Sequence, residues 1–337
     1  MFTRLPRTQT AERELTLRRL ILYVTPVLFT GLVALMIRNV AGGDGTESRN
    51  VAGADGIESR NVAGASLVPG SIDFRGDFES RDPWQYSGFN CPDPPRQFQI
   101  VTSPVRQGLY AGRFEQVPAG PSSSCLASAA DTGEREGQEY YYGFSMYFPR
   151  KISSNTLWEL HMRGDIFSVD PNTAVVPHAI IADGAGGLRY NLLTGPAYWG
   201  GGAWTGWSHF DSGLSLGDDL DDYPTGTWID FIVHLRFTES AEGLLEVWHR
   251  TGEGPWPAAP QLARYDVPTL QWIPGYDNQI WGYPNDPDVP NDIHTSSLYT
   301  AFGLYKGGPY TSVTDVVYHD GYRRGPSFAA VVAEFPQ

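Results

Sequence analysis

Beyond residue 70, apolar and polar positions alternate with a period of two in many short segments. In Trp228–Phe237, for example, one face carries Phe231, Val233 and Leu235. Such alternation is typical of a half-buried β-strand. Gly- and Pro-rich turns separate the segments, and no sustained helical stripe follows residue 70. The pattern predicts strands at 97–102, 110–117, 140–148, 188–193, 228–237, 244–250, 299–306 and 313–318.

An all-β body, residues 71–330, follows from this spacing, because many short strands joined by turns are typical of a β-sandwich or jelly roll. The composition agrees with this interpretation. The chain contains 38 Gly and 26 Pro, and 13% of its residues are aromatic, a mixture that favours turns and strands over a helical bundle.

A different pattern marks the N-terminus, where an uncharged apolar run extends from Leu20 to Ile37 behind an Arg-rich segment. Eighteen helical residues span about 27 Å, close to the hydrocarbon core of a bilayer. We predict that residues 1–19 are cytoplasmic and that 20–37 form an uncleaved signal anchor with the body outside. A cleaved signal peptide is the alternative. The body is then either membrane-anchored with an extracellular domain or secreted.

Residues 38–70 contain an 11-residue repeat that begins Arg-Asn-Val-Ala-Gly at Arg38, Arg49 and Arg60. Its many glycines and few apolar positions argue against a stable helix. We interpret this segment as a linker between the membrane and the body.

Two cysteines, Cys91 and Cys125, both lie in the body. In an oxidising compartment this is the right number for one disulfide, which would stabilise the fold by about 3–4 kcal/mol in the chain-entropy model. Without nearby paired histidines, a structural zinc site is not expected.

Charge argues against some partners. The whole chain has a formal net charge of −14, but the first 70 residues hold eight arginines and six acids, which leaves 16 basic and 32 acidic residues, a net −16, in the body. Such a body repels nucleic acid at long range. We expect no nucleic-acid partner, and we expect the body to be monomeric.

Familiar catalytic sequence motifs are absent. The sequence has no G-x-S-x-G, no H-E-x-x-H, no phosphate loop and no E-x-D-x-x-E pattern of laminarinase-like jelly rolls. The chemistry must come instead from His, Tyr and Arg residues on the predicted strands, and these can transfer protons without a metal.

Seven segments of the body form a recognisable series, namely Gly108–Glu115, Glu139–Pro149, Trp158–His161, Gly226–Arg236, Gly243–Trp248, Phe302–Lys306 and Val317–Asp320. Taken in order, they resemble heparin lyase I-like polysaccharide lyases over roughly residues 72–325. The resemblance implies a concanavalin A-like β-jelly roll with a long groove, and eliminative cleavage of a uronic-acid polysaccharide without a required cofactor.

The resemblance also implies the site residues. His161 matches the catalytic His of the family, Tyr305 its Tyr and Arg113 its Arg. We expect His161 to be the base and Tyr305 the acid, with the roles reversed for the epimeric sugar. Arg113 would bind or neutralise the uronate beside Glu115, although these two residues could equally form a structural ion pair on one strand face. His178 is the runner-up base.

The sequence departs from the family pattern near Tyr305. Family members often have Lys four residues before this Tyr, where this chain has Ala301. Lys306 is the expected substrate-binding cation, but strand alternation places it on the opposite face unless a bulge intervenes. With so few lysines and so acidic a body, a weakly charged uronan such as glucuronan or alginate is expected rather than heparin.

Two further features concern ligands. Trp199, Trp204 and Trp207 lie among glycines at 195–206 and predict an exposed loop that stacks on sugar rings. The acid-rich segments 218–222 and 285–292 could hold a structural Ca²⁺, but a solvated acidic loop is the favoured interpretation.

Three functions remain open on these grounds. The first is an exported polysaccharide lyase, for which an acidic polysaccharide is the partner. The second is a non-catalytic carbohydrate-binding jelly-roll module at the cell surface, favoured by the missing Lys. The third is a surface structural protein.

Overall fold

Sixteen β-strands dominate the computed structural model of the protein, which describes residues 71–81, 88–91, 94–118, 124–162, 176–200, 203–272, 298–305 and 313–336. The strands form two sheets that pack face to face. The described helices are short, namely α1 (Pro94–Gln97), α2 (Phe328–Val332) and a 3₁₀ helix at Asp218–Leu220. The expectation of an all-β sandwich is therefore confirmed.

Eight strands form sheet 1. In chain order they are β1 (Phe74–Gly76), β3 (Phe98–Val101), β4 (Ala111–Gln116), β6 (Glu139–Tyr147), β11 (Trp228–Arg236), β12 (Leu244–Thr251), β13 (Leu262–Tyr265) and β16 (Asp315–Gly325). Their spatial order is β13-β12-β11-β6-β16-β4-β3, with β1 also paired to β16, and all pairs are antiparallel.

Eight more strands form sheet 2. They are β2 (Gly88–Asn90), β5 (Cys125–Glu134), β7 (Asn155–Met162), β8 (His178–Ala182), β9 (Leu188–Gly200), β10 (Ala203–Ser215), β14 (Gln271–Trp272) and β15 (Leu298–Tyr305). The spatial order is β10-β9-β8-β7-β15-β5-β2, and β14 runs parallel to β9 at the side.

The core lies between the two sheets and is rich in aromatic rings. Trp158 of sheet 2 stacks on Phe144 of sheet 1, with ring centroids 5.2 Å apart. Phe302 of sheet 2 meets Phe114 of sheet 1 edge-to-face at 5.9 Å. All four side chains are at most 1% exposed, and burying each one stabilises the fold by about 1.5–3 kcal/mol. These contacts show which face of each strand points inward.

The alternating segments of the sequence correspond to observed strands. The segment at 228–237 becomes β11, in which Phe231, Val233 and Leu235 are buried in the core. The other seven predicted segments coincide with β3, β4, β6, β9, β12, β15 and β16 to within a few residues, except that β9 and β16 extend about seven residues further.

The predicted disulfide is present and joins Cys91, just after β2, to Cys125, the first residue of β5. Both cysteines are buried and belong to the core. The bond ties an edge strand of sheet 2 to its neighbour.

The chain remains packed beyond residue 330, where the sequence places the end of the domain. Val331 of α2 and Phe335 are buried against Ile232 and Trp248 on sheet 1, so the fold extends at least to residue 335. The predicted cytoplasmic segment, anchor and linker lie outside the described residues. Among the residues that are described, no helix is long and apolar enough to cross a membrane.

Candidate active site

The candidate site lies on the outward face of sheet 2, defined here as the side of β7 and β15 that points away from sheet 1. Trp158 and Phe302 point inward, and successive strand residues point to opposite faces. Glu159 and His161 of β7 therefore point outward. On β15, Tyr299 and Tyr305 do the same, because Leu298 and Leu304 beside them are core residues.

His161 and Tyr299 form the best-defined pair on this face. They are direct cross-strand partners in the β7–β15 ladder. Their rings are stacked, with centroids 4.8 Å apart and planes 23° from parallel. Both side chains are half-buried. The stacking fixes the orientation of the imidazole, which a proton-abstracting base requires.

Tyr305 lies on the same face, further along the strand. It pairs with Thr156 rather than with His161, because the ladder shifts register between Phe302 and Tyr305. Thr156 and His161 are five residues apart along β7, about 17 Å at most. Burial, together with the nearby Glu159, raises the pKa of Tyr305 to about 12. The phenol consequently keeps its proton throughout the neutral range.

Glu159 lies between the two tyrosines and is the acidic residue of the site. It is 3% exposed, and burial raises its pKa to about 8. Its Oε2 atom has no hydrogen-bond partner among the described residues. Glu159 also raises the pKa of Tyr299, after the larger effect of that residue's own burial. The carboxyl group is therefore mainly neutral at pH 7.

Small side chains flank Glu159 on both neighbouring strands. Its cross-strand partners are Ala301 on β15 and Ala179 on β8, and the next residue in the same row is Ser128 on β5. Ala301 is the position at which the resembling lyases often have Lys. The position of the family's Lys, occupied here by Ala301, is therefore directly opposite the buried Glu159.

Arg113 and Glu115 are not part of this site, contrary to the sequence prediction. They lie on β4 of sheet 1, where Phe114 between them points into the core. Both therefore face away from sheet 2, on the far side of the sandwich from His161. The two residues form an ion pair with each other, the structural alternative named above. Strand position predicted that they share a face but not which sheet they occupy.

His178 faces the core and not the site. It is 0% exposed, its Nε2 lies 2.7 Å from the carbonyl of Thr269, and the hydroxyl of Tyr190 lies 3.1 Å from its Nδ1. Burial lowers its pKa to about 4. Because His178 points between the two sheets, it holds elements together and does not face the outward side of sheet 2.

The tryptophan segment is a pair of strands rather than the predicted loop. β9 and β10 continue through it, with Trp199 opposite Trp204 and Trp207 opposite Ala197. Cross-strand hydrogen bonds satisfy the backbone here, and aromatic residues favour strands in spite of the neighbouring glycines. The side chains of these tryptophans, and the whole of Lys306, lie outside what the structure describes.

The acidic segment at 218–222 does not converge on a cation site. Asp221 pairs with Arg189, and Asp222 lies 2.7 Å from the ammonium of Lys151. In the described ranges, no cluster of three or more His, Cys, Asp or Glu side chains has the geometry to hold a metal ion. The segment at 285–292 lies outside those ranges.

Two residues of the site, Glu159 and Tyr299, were not singled out from the sequence. A usable signal was present, because Glu159 is two residues from His161, and Tyr299 is six residues from Tyr305. Both spacings are even and place each pair on one face of a strand. Burial of the carboxyl group, however, depends on neighbouring strands that the sequence does not identify.

Comparison with solved structures identifies proteins with a similar fold. The endo-β-1,4-glucuronan lyase of the fungus Trichoderma reesei has a TM-score of 0.57 and 15% identity, over 77% of this chain and 98% of that chain. A PL-14 alginate lyase from Aplysia kurodai has a TM-score of 0.46 and 10% identity, over 72% and 92%. Alginate lyase vAL-1 from Chlorella virus has a TM-score of 0.46 and 10% identity, over 76% and 100%.

No protein-family model matches the sequence, and no curated protein does so. The likeness to the glucuronan lyase, at 15% identity, concerns the fold alone, and membership of the heparin lyase I-like family stays a prediction. The chain shares its two-sheet jelly-roll architecture with the glucuronan lyase.

Proposed function

We propose that this protein is an exported polysaccharide lyase that cleaves a uronic-acid polysaccharide by β-elimination. The proposal rests on the placement of His161, Tyr299 and Tyr305 on the same outward face of sheet 2. The shared fold with a glucuronan lyase supports it. The heparin lyase I-like motifs support the same reaction class.

The reaction makes three demands on the protein. The C5 proton of the uronate becomes acidic only when the adjacent carboxylate is neutralised. A base then removes this proton, the C–H electrons form the C4–C5 double bond, and the C4–O4 bond breaks. An acid finally protonates O4 as the departing oxygen of the neighbouring sugar. No oxidant or reductant is consumed.

His161 is the proposed base and Tyr305 the proposed acid. A neutral imidazole can accept the proton at its unprotonated ring nitrogen. Tyr305 stays protonated, since burial and Glu159 raise its pKa to about 12. A departing sugar alkoxide is a strong enough base to take a proton from such a phenol. Tyr299, stacked on His161, is the alternative donor.

A weakly charged uronan is the proposed substrate. The body carries a net charge of −16, and it therefore repels a densely sulfated chain such as heparin at long range. On the outward face of sheet 2, the described Arg189 is already paired with Asp183 and Asp221. Glucuronan and alginate carry one carboxylate per sugar and no sulfate, so they suit this face better.

A substrate panel tests the proposal. The full-length chain is incubated with glucuronan, alginate and heparin, and the near-ultraviolet absorbance of the unsaturated product is followed. We expect a rise with glucuronan or alginate and none with heparin. Binding to one uronan without any absorbance rise would establish the non-catalytic carbohydrate-binding module instead.

A further inference from the structure

We propose that Glu159 acts as a neutral acid in the uronate subsite, where its protonated carboxyl group donates a hydrogen bond to the carboxylate of the sugar. This inference rests on the proposed function and extends it. It assigns the neutralising task to a residue that is itself formally acidic. The task would otherwise fall to a cation, and Arg113, the cation that the sequence suggested, lies on the other sheet.

The surroundings of Glu159 favour its neutral form. The side chain is 3% exposed and forms no ion pair with any described residue. An ionised carboxylate in such a position loses its hydration without compensation, which costs several kcal/mol. Ala301 and Ala179, its partners on the adjacent strands, offer neither charge nor hydrogen bonds. Burial accordingly raises the pKa of Glu159 to about 8.

Among the residues that the structure describes, few titratable groups face Glu159. On its own strand β7 there is His161, and on β15 there are Tyr299 and Tyr305. The facing residues of β8 are Ala179 and Ile181, neither of which titrates. At neutral pH the two phenols are protonated, because burial raises the pKa of both. With Glu159 also protonated, the described residues of this part of the face present proton donors and no negative charge.

A uronate carboxylate complements this arrangement. Its negative charge meets a carboxylic acid, and such a charge-assisted O–H···O⁻ bond is short and roughly twice as strong as a neutral one. The Oε2 atom of Glu159 is buried and has no hydrogen-bond partner among the described residues, so a hydrogen bond from the carboxyl group to the sugar would replace no existing bond of this atom. An ionised Glu159 would instead repel the sugar. Substrate recognition therefore depends on this one proton.

The test is the pH dependence of kcat/KM on glucuronan for the full-length wild type and Glu159→Gln. Glutamine keeps a donor of the same shape and cannot ionise. We expect the two proteins to agree within about threefold at pH 6.5. At pH 9 the wild type should fall about tenfold below the variant, as expected for a group that is about nine-tenths ionised one unit above its pKa. Glu159→Ala, which removes the donor, should lose at least tenfold at both pH values.

Glu242→Gln is the matched control, because Glu242 is exposed in the turn between β11 and β12. It should follow the wild type at every pH. Thermal unfolding shows whether each variant is folded. An alkaline decline shared by wild type and Glu159→Gln would overturn the inference, and so would full activity of folded Glu159→Ala.

A binding measurement separates this inference from the proposed function. Calorimetry with a glucuronan oligosaccharide is carried out between pH 6.5 and pH 9 on wild type and Glu159→Gln. If the wild type binds without cleaving, and loses affinity about tenfold with rising pH while the variant does not, the neutral acid is supported and the lyase activity is refuted. Equal affinities at both pH values, or no binding at all, would refute the neutral acid.

Discussion

His161 and Tyr299 lie directly opposite each other on β7 and β15, and their rings are stacked with centroids 4.8 Å apart. This contact orients the candidate base on the outward face of sheet 2. It also places one phenol beside the base, while Tyr305 approaches from further along the strand. The two tyrosines therefore have different expected roles, one in holding the imidazole and the other in proton transfer.

Separate phenylalanine substitutions distinguish these roles. Tyr305→Phe should lower kcat on glucuronan by about 10²–10⁴, because it removes the proposed acid and keeps the ring. Tyr299→Phe keeps the stacking on His161 and should stay within about tenfold of the wild type. Steady-state kinetics at pH 7 measures both. The reverse order of effects would make Tyr299 the proton donor.

Arg113→Ala should leave kcat/KM on glucuronan within about twofold of the wild type. Arg113 is on sheet 1, paired with Glu115, and the core separates it from His161. Loss of this partly exposed ion pair should reduce stability by no more than about 1 kcal/mol. A hundredfold loss of activity in a folded Arg113→Ala protein would show that the substrate also reaches sheet 1.

Histidines in the core predict a loss of stability in acid. Burial lowers the pKa of His178 to about 4 and that of His319 to about 3. Both are neutral in the fold, whereas in the unfolded chain they take up protons below about pH 6.5. The stability they contribute is fully present above pH 6.5 and is lost as the pH falls toward their folded pKa values. For His178 this loss is about 3 kcal/mol.

Urea unfolding at pH 7.5, 5.5 and 4.5 measures this effect in wild type and His178→Gln. The variant should be less stable at pH 7.5, because its contacts with Thr269 and Tyr190 are altered. Its stability should then decline less steeply toward pH 4.5 than that of the wild type. Parallel declines would show that His178 is not the group responsible.

The disulfide predicts a defined thiol count. Cys91 and Cys125 are bonded to each other, and the described residues contain no free cysteine. Labelling of denatured, unreduced protein should therefore detect no free thiol, and labelling after reduction should detect two per chain. Reduction should lower the free energy of unfolding by about 3–4 kcal/mol. Two labels before reduction would contradict the pairing.

Period-two alternation was sufficient to find the strands that have one polar and one apolar face. β11 is the clearest case, because its apolar residues are bulky and regularly spaced. β5 lacks this signal, since Cys125–Glu134 contains mainly small residues and no regularly spaced bulky apolar ones. The glycines at 195–206 suggested a loop because their effect on a strand depends on the partner strand, which the local sequence does not reveal.

The site was predictable in part for a related reason. Motif resemblance selected His161 and Tyr305, and the structure places both on one sheet face. It also selected Arg113, because a motif gives the position along the chain and not the sheet to which a strand belongs. The importance of Glu159 follows from the lack of a cation opposite it, at Ala301, and from its burial. Both features depend on the tertiary structure, which the local sequence does not reveal.

The most direct test of the central claim is the near-ultraviolet absorbance of glucuronan incubated at pH 7 with the full-length wild type and with His161→Ala. An eliminative cleavage creates a C4–C5 double bond, so the wild type should produce a steady rise in absorbance. Thermal unfolding checks that His161→Ala is folded. Its rate of absorbance increase should be about 10²–10⁴-fold lower than that of the wild type, because the base is lost. A wild type that produces no rise, or a His161→Ala protein that matches it, would contradict the assignment of this face as a lyase site.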